Sequence, residues 1–492
     1  MTRYVGAIDQ GTTSSRFVVV DDRGSIVARA QTEHAQILPR PGWVEHDPSE
    51  IWRNTEWAIS TALDEAGLVA SDLAGVGITN QRETTVVWDR STGRPVANAI
   101  VWQDTRTAEL CRSIAERVGE DVLRHRTGLP AATYFSGPKV RWLLDSDPAI
   151  ATAASRGELA FGTVDSWLAF RLTGRHVTDV TNASRTMLMD LRTLEWDADL
   201  CDAIGVPASM LPTIEASVAQ YGPCDGVLAG TQLRAILGDQ QAALFGQAAF
   251  AHGDTKCTYG TGAFLLTNTG TVPVPSTAGL LTTVAYQRQG HDARYALEGS
   301  VAVAGSSVQW LRDNLGLIEH SAQVEELARQ VSDNGDVYFV PAFSGLFAPH
   351  WRPDARGVLV GLTRFSNRGH VARAVLEATA FQVKDVLVAM RNDTKTSLDE
   401  LRVDGGMVAN ELLMQFQADI LDMDVVVPTQ IETTVLGAAY GAGITAGIWS
   451  GADDVRDRWT ERERFTPGLT VERRTELDRG WRKAVERSLG WA

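Results

Sequence analysis

Near the start of the chain, apolar residues fall in short blocks separated by turn formers. Tyr4–Ile8 reads as a strand, Asp9–Ser15 as a polar turn, Arg16–Val20 as a second strand, Asp21-Asp22-Arg23-Gly24 as a tight turn and Ile26–Ala30 as a third strand. The pattern predicts a β-meander. A helical periodicity near Ile51–Ala66 and a strand-like Gly75–Ile78 follow, so the first half mixes strands with helices. The same opening recurs mid-chain: strand-like Asp254–Thr258, a turn at Tyr259-Gly260-Thr261-Gly262, and strand-like Ala263–Asn268. This repetition predicts duplicated halves joined near Gly246–Gly253, that is, lobes spanning 1–248 and 249–492 with a cleft between them.

Two apolar runs lead into chemically interesting turns. Leu233–Leu237 precedes Gly238-Asp239-Gln240-Gln241 and a helical Ala242–Gly246, and Asp404-Gly405-Gly406 leads through Asn410 into a helix over Glu411–Leu421. Thr433–Ala452 carries no charge and holds Gly437/Gly441 and Gly443/Gly447 at the spacing of membrane helix dimers. Its residues are mostly small, and small residues add little insertion energy, so it is expected as a helix packed closely inside a domain. From Asp453 onward, Arg, Glu and Asp are dense around spaced Trp and Leu, and amphipathic helix with a solvated outer face is expected.

Length and composition narrow the functional classes. The 492 residues suit two cores of roughly 200–250 residues each. With 46 Lys and Arg against 61 Asp and Glu, the net charge of −15 disfavours nucleic acid or an anionic membrane as partner and favours a small ligand. Cys111, Cys201, Cys224 and Cys257 lie far apart, with no pattern of a zinc site or disulfide framework. Residues 1–6 lack the apolar run of a signal peptide, and a cytoplasmic location is expected.

The candidate chemistry lies in the turns. Asp9-Gln10-Gly11-Thr12-Thr13-Ser14-Ser15-Arg16 combines one glycine, four hydroxyls and an Arg, and Gly260-Thr261-Gly262 is its counterpart in the other half. Either turn alone could be an ordinary hairpin. Together they could grip one triphosphate from two sides, because backbone N–H groups and short hydroxyls bind phosphate without steric obstruction. Neither a P-loop nor a protein-kinase motif occurs. Asp404-Gly405-Gly406 offers bare backbone at a helix start, where a nucleotide could lie. Asp239 is either a cap on the following helix or a carboxylate facing the cleft, able to take a proton from an attacking alcohol. Asp9 suits magnesium held through water. Asn80-Gln81-Arg82-Glu83-Thr84-Thr85 groups polar side chains after a strand and suits hydroxyl recognition. Trp102, Tyr134 and Phe264 are either core aromatics or walls against a carbon chain.

The strings Asp9–Arg16, Gly77–Thr85, Gly238–Gly246, Tyr259–Gly262 and Asp404–Asn410 occur in one order, extended by Gly42–Pro48, Thr181–Thr186 and Gly357–Glu377. By these motifs the chain resembles the FGGY carbohydrate kinases, most closely those acting on glycerol. The resemblance implies an α/β fold of two actin-like (ribonuclease H-like) ATPase domains and transfer of phosphate from ATP, with Mg2+, to glycerol. It further implies that Arg82, Glu83, Trp102, Tyr134, Asp239, Gln240 and Phe264 contact the polyol, with Asp239 as catalytic base. Thr12, Thr13, Ser14, Arg16, Thr261, Gly305, Gln309, Gly406 and Asn410 are implied to touch the nucleotide, and Asp9, with Asp239 as a second candidate, the metal. Family members assemble as dimers or tetramers, so a homo-oligomer is implied. Some bacterial members are inhibited by fructose 1,6-bisphosphate at a Gly-Gly-Thr-Arg loop. Here Gly230-Thr231-Gln232-Leu233 lacks the arginine, and weak or absent inhibition is expected. The segment Pro467–Arg474 also departs from the family's docking site for a sugar-transport regulator, which argues against that partner. The same fold serves kinases of other polyols and filament-forming or chaperone-like ATPases, and the substrate cluster at Arg82 and Glu83 speaks for a short triol.

Overall fold

The computed structural model describes residues 3–492; Met1 and Thr2, part of the segment read for a signal peptide, lie outside the described residues. The described residues form two principal sheets. The first has the strand order Gly222–Pro223, Gln232–Gly238, Leu73–Asn80, Tyr4–Gln10, Ser14–Asp21, Ile26–Glu33. Tyr4–Gln10 runs parallel to Leu73–Asn80, which runs parallel to Gln232–Gly238, while Ser14–Asp21 and Ile26–Glu33 continue from it as the antiparallel meander. Asp21 closes the second hairpin by accepting from the N–H groups of Arg23 and Ser25.

The second sheet repeats the arrangement. Its order is Leu281–Tyr286, Arg294–Val301, Ala263–Gly270, Thr255–Tyr259, Glu400–Asp404, Asp424–Pro428, Glu461–Phe465, and the three strands from Thr255–Tyr259 to Asp424–Pro428 are parallel. In both sheets a hairpin opens the lobe, further antiparallel strands extend it on one side, in the second sheet with Arg294–Val301 inserted between Ala263–Gly270 and the edge strand Leu281–Tyr286, and on the other side two strands return parallel to the first. Such parallel returns need long crossover connections, and these put helices on the sheet faces.

A smaller sheet of Glu45–His46, Ala99–Ile100, Thr85–Asp89 and Leu159–Thr163 grows out of the first lobe. The segment 81–84 leads from the principal sheet into it, so the polar loop sits at the junction.

The uncharged segment forms the helix Thr433–Thr445, buried along most of its length. Although it comes from the second half, it lies on the first lobe's sheet and on the helix Asp239–Gly246. A Cβ on Gly437 would come within 1.9 Å of the Ala242 carbonyl oxygen, and one on Gly77 within 2.3 Å of that of Ala438. Backbone meets backbone here, which accounts for the small residues without a membrane. Among the described residues no helix is long and apolar enough to cross a bilayer. One core cluster joins Val5, Ala235, Leu237 and Ala242 of the first half to Leu266, Ala285, Val435 and Trp449 of the second.

The expectation for the tail needs correction. Two helices, Ala452–Arg458 and Val471–Arg487, flank a strand, Glu461–Phe465, paired antiparallel with Asp424–Pro428. Its dense charge fits an edge strand, where unpaired backbone faces water and charged side chains blunt association.

Candidate functional site

The chemistry-bearing residues collect at the carboxyl ends of the parallel strands. Gln10, Asn80 and Gly238 are register neighbours across the first sheet, and Thr258 and Asp404 across the second. Open α/β sheets place ligands at this edge. It carries Asp9, Arg82 and Asp239 on one side, and the turns at 260–262 and 405–406 on the other.

Several bonds fix the loop after Asn80. The Gln81 N–H donates to the Gln10 carbonyl (2.7 Å), and the Gln81 amide to that of Gly11 (3.1 Å). Asn80 and Asn182 exchange amide hydrogen bonds (2.9 and 3.2 Å), and the Gly238 N–H donates to Thr181 Oγ1 (2.9 Å), so one short segment braces two strand ends. Glu83 stands at φ 61°, in the left-handed region that side chains other than Gly, Asn and Asp seldom adopt. Ser136 Oγ (3.0 Å) donates to its carbonyl, and Lys139 Nζ to that of Tyr134 (2.8 Å). Such local strain persists only where surrounding contacts enforce it, and it clusters at functional sites.

Arg82 and Arg185 form a buried charge network with Glu83 and Glu298. Arg82 donates to both oxygens of Glu298, to Oε1 at 2.9 Å, and its Nε lies 3.1 Å from Asp239 Oδ1. Arg185 donates to Glu83 Oε1 at 2.6 Å and to Glu298 Oε1 at 3.1 Å. Burial alone would raise the Glu298 carboxyl, but Arg185 and Arg82 outweigh it and hold it down to about 2. For Glu83 burial wins: its carboxyl is raised despite the same two arginines.

Asp239 opens the helix that follows Gln232–Gly238. Gly238, not Asp239, occupies the cap position, so the capping alternative is not what the structure adopts. Its carboxylate keeps 31% of its surface open to the cleft, whereas Arg82 beside it keeps 2%. Recession from water raises its pKa, opposed by Arg82 and Lys256. Gln240 is buried; its Oε1 accepts from Lys256 Nζ at 2.5 Å, and Lys256 also donates to Thr258 Oγ1 (2.9 Å) and the Phe264 carbonyl (3.3 Å). Burial lowers the Lys256 ammonium, with Asp404 opposing. The Trp102 ring stands edge-on to Tyr134 (centroids 5.6 Å) and Phe264 (6.4 Å), so the three aromatics form one wall. Trp102 Nε1 donates to Thr12 Oγ1 (3.0 Å), which ties this wall to the turn at 11–14.

Around that turn, the Gly11 N–H donates to Ser14 O at 2.9 Å. His34 Nε2 (2.9 Å) and the Gln36 amide (3.0 Å) donate to the Thr12 carbonyl, and the His34 N–H to that of Thr13 (3.1 Å). The carbonyls are thus occupied, while among the described residues no hydrogen bond claims the N–H groups of Thr12 and Thr13. Ser14 Oγ accepts from Gln31 (2.9 Å). Arg16 pairs with Asp9 (2.5 Å) and, across the halves, with Glu432 (2.6 Å).

In the other lobe, Gly305 N donates to Gly260 O (3.0 Å), and the N–H groups of Ala304 and Ser306 to Thr261 O (3.0 and 3.1 Å). The turn thereby docks on the start of the helix Gly305–Asp313, whose Gln309 is exposed. Gly405 needs φ 91°, and a Cβ there would lie 2.4 Å from Tyr259 O. Gly406 is exposed and a Cβ would meet nothing within 4 Å. Asn410 Oδ1 caps the helix Glu411–Leu421 through the Leu413 N–H (2.8 Å), which leaves its amide nitrogen for other use.

The structure therefore brings together Arg82, Glu83, Asp239, Gln240, Trp102, Tyr134 and Phe264, with Thr12 attached through Trp102. Thr261 and Gly305 form a second group by direct contact, and Gly406 and Asn410 lie on the neighbouring strand end. Three members escaped the residue-by-residue reading: Arg185, Glu298 and Lys256. The available signal was a charged residue inside a strand-like run, Glu298 after Tyr-Ala-Leu and Lys256 between Thr255 and Cys257.

The model for the FGGY family of carbohydrate kinases matches its N-terminal domain to residues 4–246 and its C-terminal domain to residues 255–446. Glycerol kinases of Azorhizobium caulinodans and Brucella anthropi are each 58% identical over 497 residues, covering 100% of this chain and of the relative. Glycerol kinase of Plasmodium falciparum, solved with ADP, superposes with a TM-score of 0.94 at 38% identity, covering 99% of this chain and 98% of that one. A xylulose kinase of Lactobacillus acidophilus, 22% identical, shares the fold with a TM-score of 0.89, covering 99% of each chain. Two repeated lobes, a shared strand-end edge and family motifs along most of the length lead to one assignment: the chain belongs to the FGGY family of carbohydrate kinases.

Proposed function

We propose that this chain transfers the γ-phosphoryl group of ATP to a terminal hydroxyl of glycerol, giving sn-glycerol 3-phosphate and ADP. The observation that carries the reading is the group at the strand ends: a cleft-facing Asp239 carboxylate 3.1 Å from the buried Arg82, beside Glu83 and the aromatic wall. Full-length identity of 58% to glycerol kinases supports the choice of polyol.

In this reading Arg82, Glu83 and Gln240 orient the hydroxyls, while Trp102, Tyr134 and Phe264 cover the carbons. Glu83 engages Arg185 through Oε1, leaving Oε2 for a substrate hydroxyl. Asp239 takes the hydroxyl proton as the oxygen bonds to the γ-phosphorus and the bond to the bridging β–γ oxygen breaks. A loose transition state asks mainly for alignment and charge stabilisation, so a carboxylate base suffices. The uncommitted N–H groups of Thr12 and Thr13, with Ser14 and Arg16, suit one end of the triphosphate, and Thr261 the opposite side. Open space at Gly406, with Gly305, Gln309 and Asn410, suits the nucleoside. Asp9 would hold magnesium through water, with Asp239 as a second candidate; the ion would neutralise phosphate charge. Lobes 1–248 and 249–492 close on the pair of substrates and exclude water.

A cytoplasmic enzyme forming a homo-oligomer completes the reading. Exposed Phe343, Phe347, Trp351 and Phe365 on one stretch supply apolar surface for self-association, measurable by sedimentation. The central test is ADP release with glycerol, xylulose or gluconate. Preference for glycerol is expected, and ADP release indifferent to any polyol would refute the assignment.

A further inference from the structure

Two buried guanidiniums at a small-molecule site would ordinarily mark an anion pocket, because the guanidinium fork matches carboxylate and phosphate. Here all but one of the cleft-side donors are already taken: the Nε atoms and the Glu298-facing nitrogens of both arginines have carboxylate neighbours. Glu298, from strand Arg294–Val301 of the second lobe, accepts from Arg82 and from Arg185, both of the first. Glu83 takes the remaining Nε of Arg185, and Asp239 lies against Nε of Arg82. Arg82, Arg185 and Lys256 are thus matched by Glu83, Glu298 and Asp239, and Lys139 and Asp404 beyond them add one charge of each sign. Arg185 Nη1 is buried and has no hydrogen-bond partner among the described residues, a donor that an incoming anion could use.

We propose that Glu298 is a positioning and specificity-determining residue: by occupying Arg82 and Arg185 it makes the pocket electrically neutral, so that it accepts an uncharged polyol and rejects one bearing a carboxylate or phosphate. The inference deepens the functional reading above and rests on its assignment of Arg82 and Glu83 to the polyol. Glu298 acts through the arginines, since its side chain is fully buried and its ion pairs run to Arg82 and Arg185. Removing its charge leaves surplus positive charge in a desolvated site, where Coulomb interactions are strong.

The probe is D-glycerate, glycerol with one terminal carbinol oxidised to carboxylate. Its dissociation constant is measured by calorimetry and its competition against glycerol by kinetics, in wild type, Glu298→Gln, Glu298→Asp and Arg185→Gln. For Glu298→Gln, the ratio of the glycerate inhibition constant to the glycerol KM falls by about tenfold or more, as expected for an unscreened buried charge. Glu298→Asp returns it towards wild type, and Arg185→Gln, which leaves surplus negative charge, moves it the opposite way. A folded Glu298→Gln with an unchanged ratio overturns the proposal, as does a shift of the same sign in Glu298→Gln and Arg185→Gln, which would mark a merely structural role. Should Glu298→Gln fail to fold, Arg185→Gln decides by the sign of its shift. Wild type that ignores glycerol while Glu298→Gln gains glycerate binding by calorimetry would refute the polyol assignment and leave the neutrality proposal standing.

Discussion

The two ends of the cleft are built from different materials. The proposed polyol end is made of side chains: buried arginines and carboxylates in mutual contact, a strained Glu83 and an aromatic wall. At the proposed nucleotide end the surfaces are backbone and space: turns at 11–13 and 260–262, a positive-φ glycine at 405 and an open one at 406. A small uncharged ligand offers few handles, so charges and walls must be fixed before it arrives. A triphosphate brings its own charge, and amide groups that leave room for it suffice.

The sharpest way to separate the two ends is Asp239→Asn. It removes the proposed base and leaves the turns intact, so kcat should fall between about a hundredfold and ten-thousandfold. ATP binding, followed by calorimetry, should hardly change; unaltered kcat would remove Asp239 from the base role. Neighbouring glycines provide the converse experiment. Gly405→Ala must carry a side chain at φ 91° against Tyr259 O, so a stability loss of about 1–3 kcal/mol is expected in thermal melts. Gly406→Ala meets no protein atom, so its melting temperature should stay put while KM for ATP rises and KM for glycerol does not. Equal effects on both KM values would erase the division.

A smaller effect concerns pH. Burial raises the Asp239 carboxyl, with Arg82 and Lys256 opposing. The base must be deprotonated, so kcat/KM falls as pH drops through the raised pKa, and the acid limb should lie above the ordinary aspartate value of 3.8. An acid limb below that value would contradict the assignment. The smallest expected effect is that of fructose 1,6-bisphosphate. Thr231 Oγ1 is spent on Leu73 O, and the nearby Arg234 is held away by donating Nε and Nη1 to the Ala74 and Thr445 carbonyls. Titration should leave activity nearly unchanged, and strong inhibition at low concentration would show a phosphate site there.

Much of this was legible in the chain. The meander, its mid-chain repeat and the helix over Glu411–Leu421 follow from alternation, glycine turns and capping residues, which are local properties. The glycine and hydroxyl turns proposed for the nucleotide were legible for the same reason, since each is written in consecutive residues. The charge network proposed to face the polyol was only half legible. Arg82 and Glu83 stood out as a polar cluster, but Arg185, Lys256 and Glu298 come from distant segments and matter only once folded together. In the tail the helices Ala452–Arg458 and Val471–Arg487 match the expectation, but Glu461–Phe465 was misread because an edge strand and an amphipathic helix can carry the same dense charge, and only the partner Asp424–Pro428 distinguishes them.

By itself the sequence determined the elements, the duplicated lobes and the residue types able to bind phosphate and hydroxyls, because those depend on neighbours within a few positions. The tertiary structure alone decided that the small-residue helix Thr433–Thr445 would lie across the first lobe's sheet, and that Glu298 would reach over to neutralise Arg82 and Arg185. Pairing of buried charges and backbone-to-backbone packing depend on distances between segments far apart in the chain, and no local pattern encodes them.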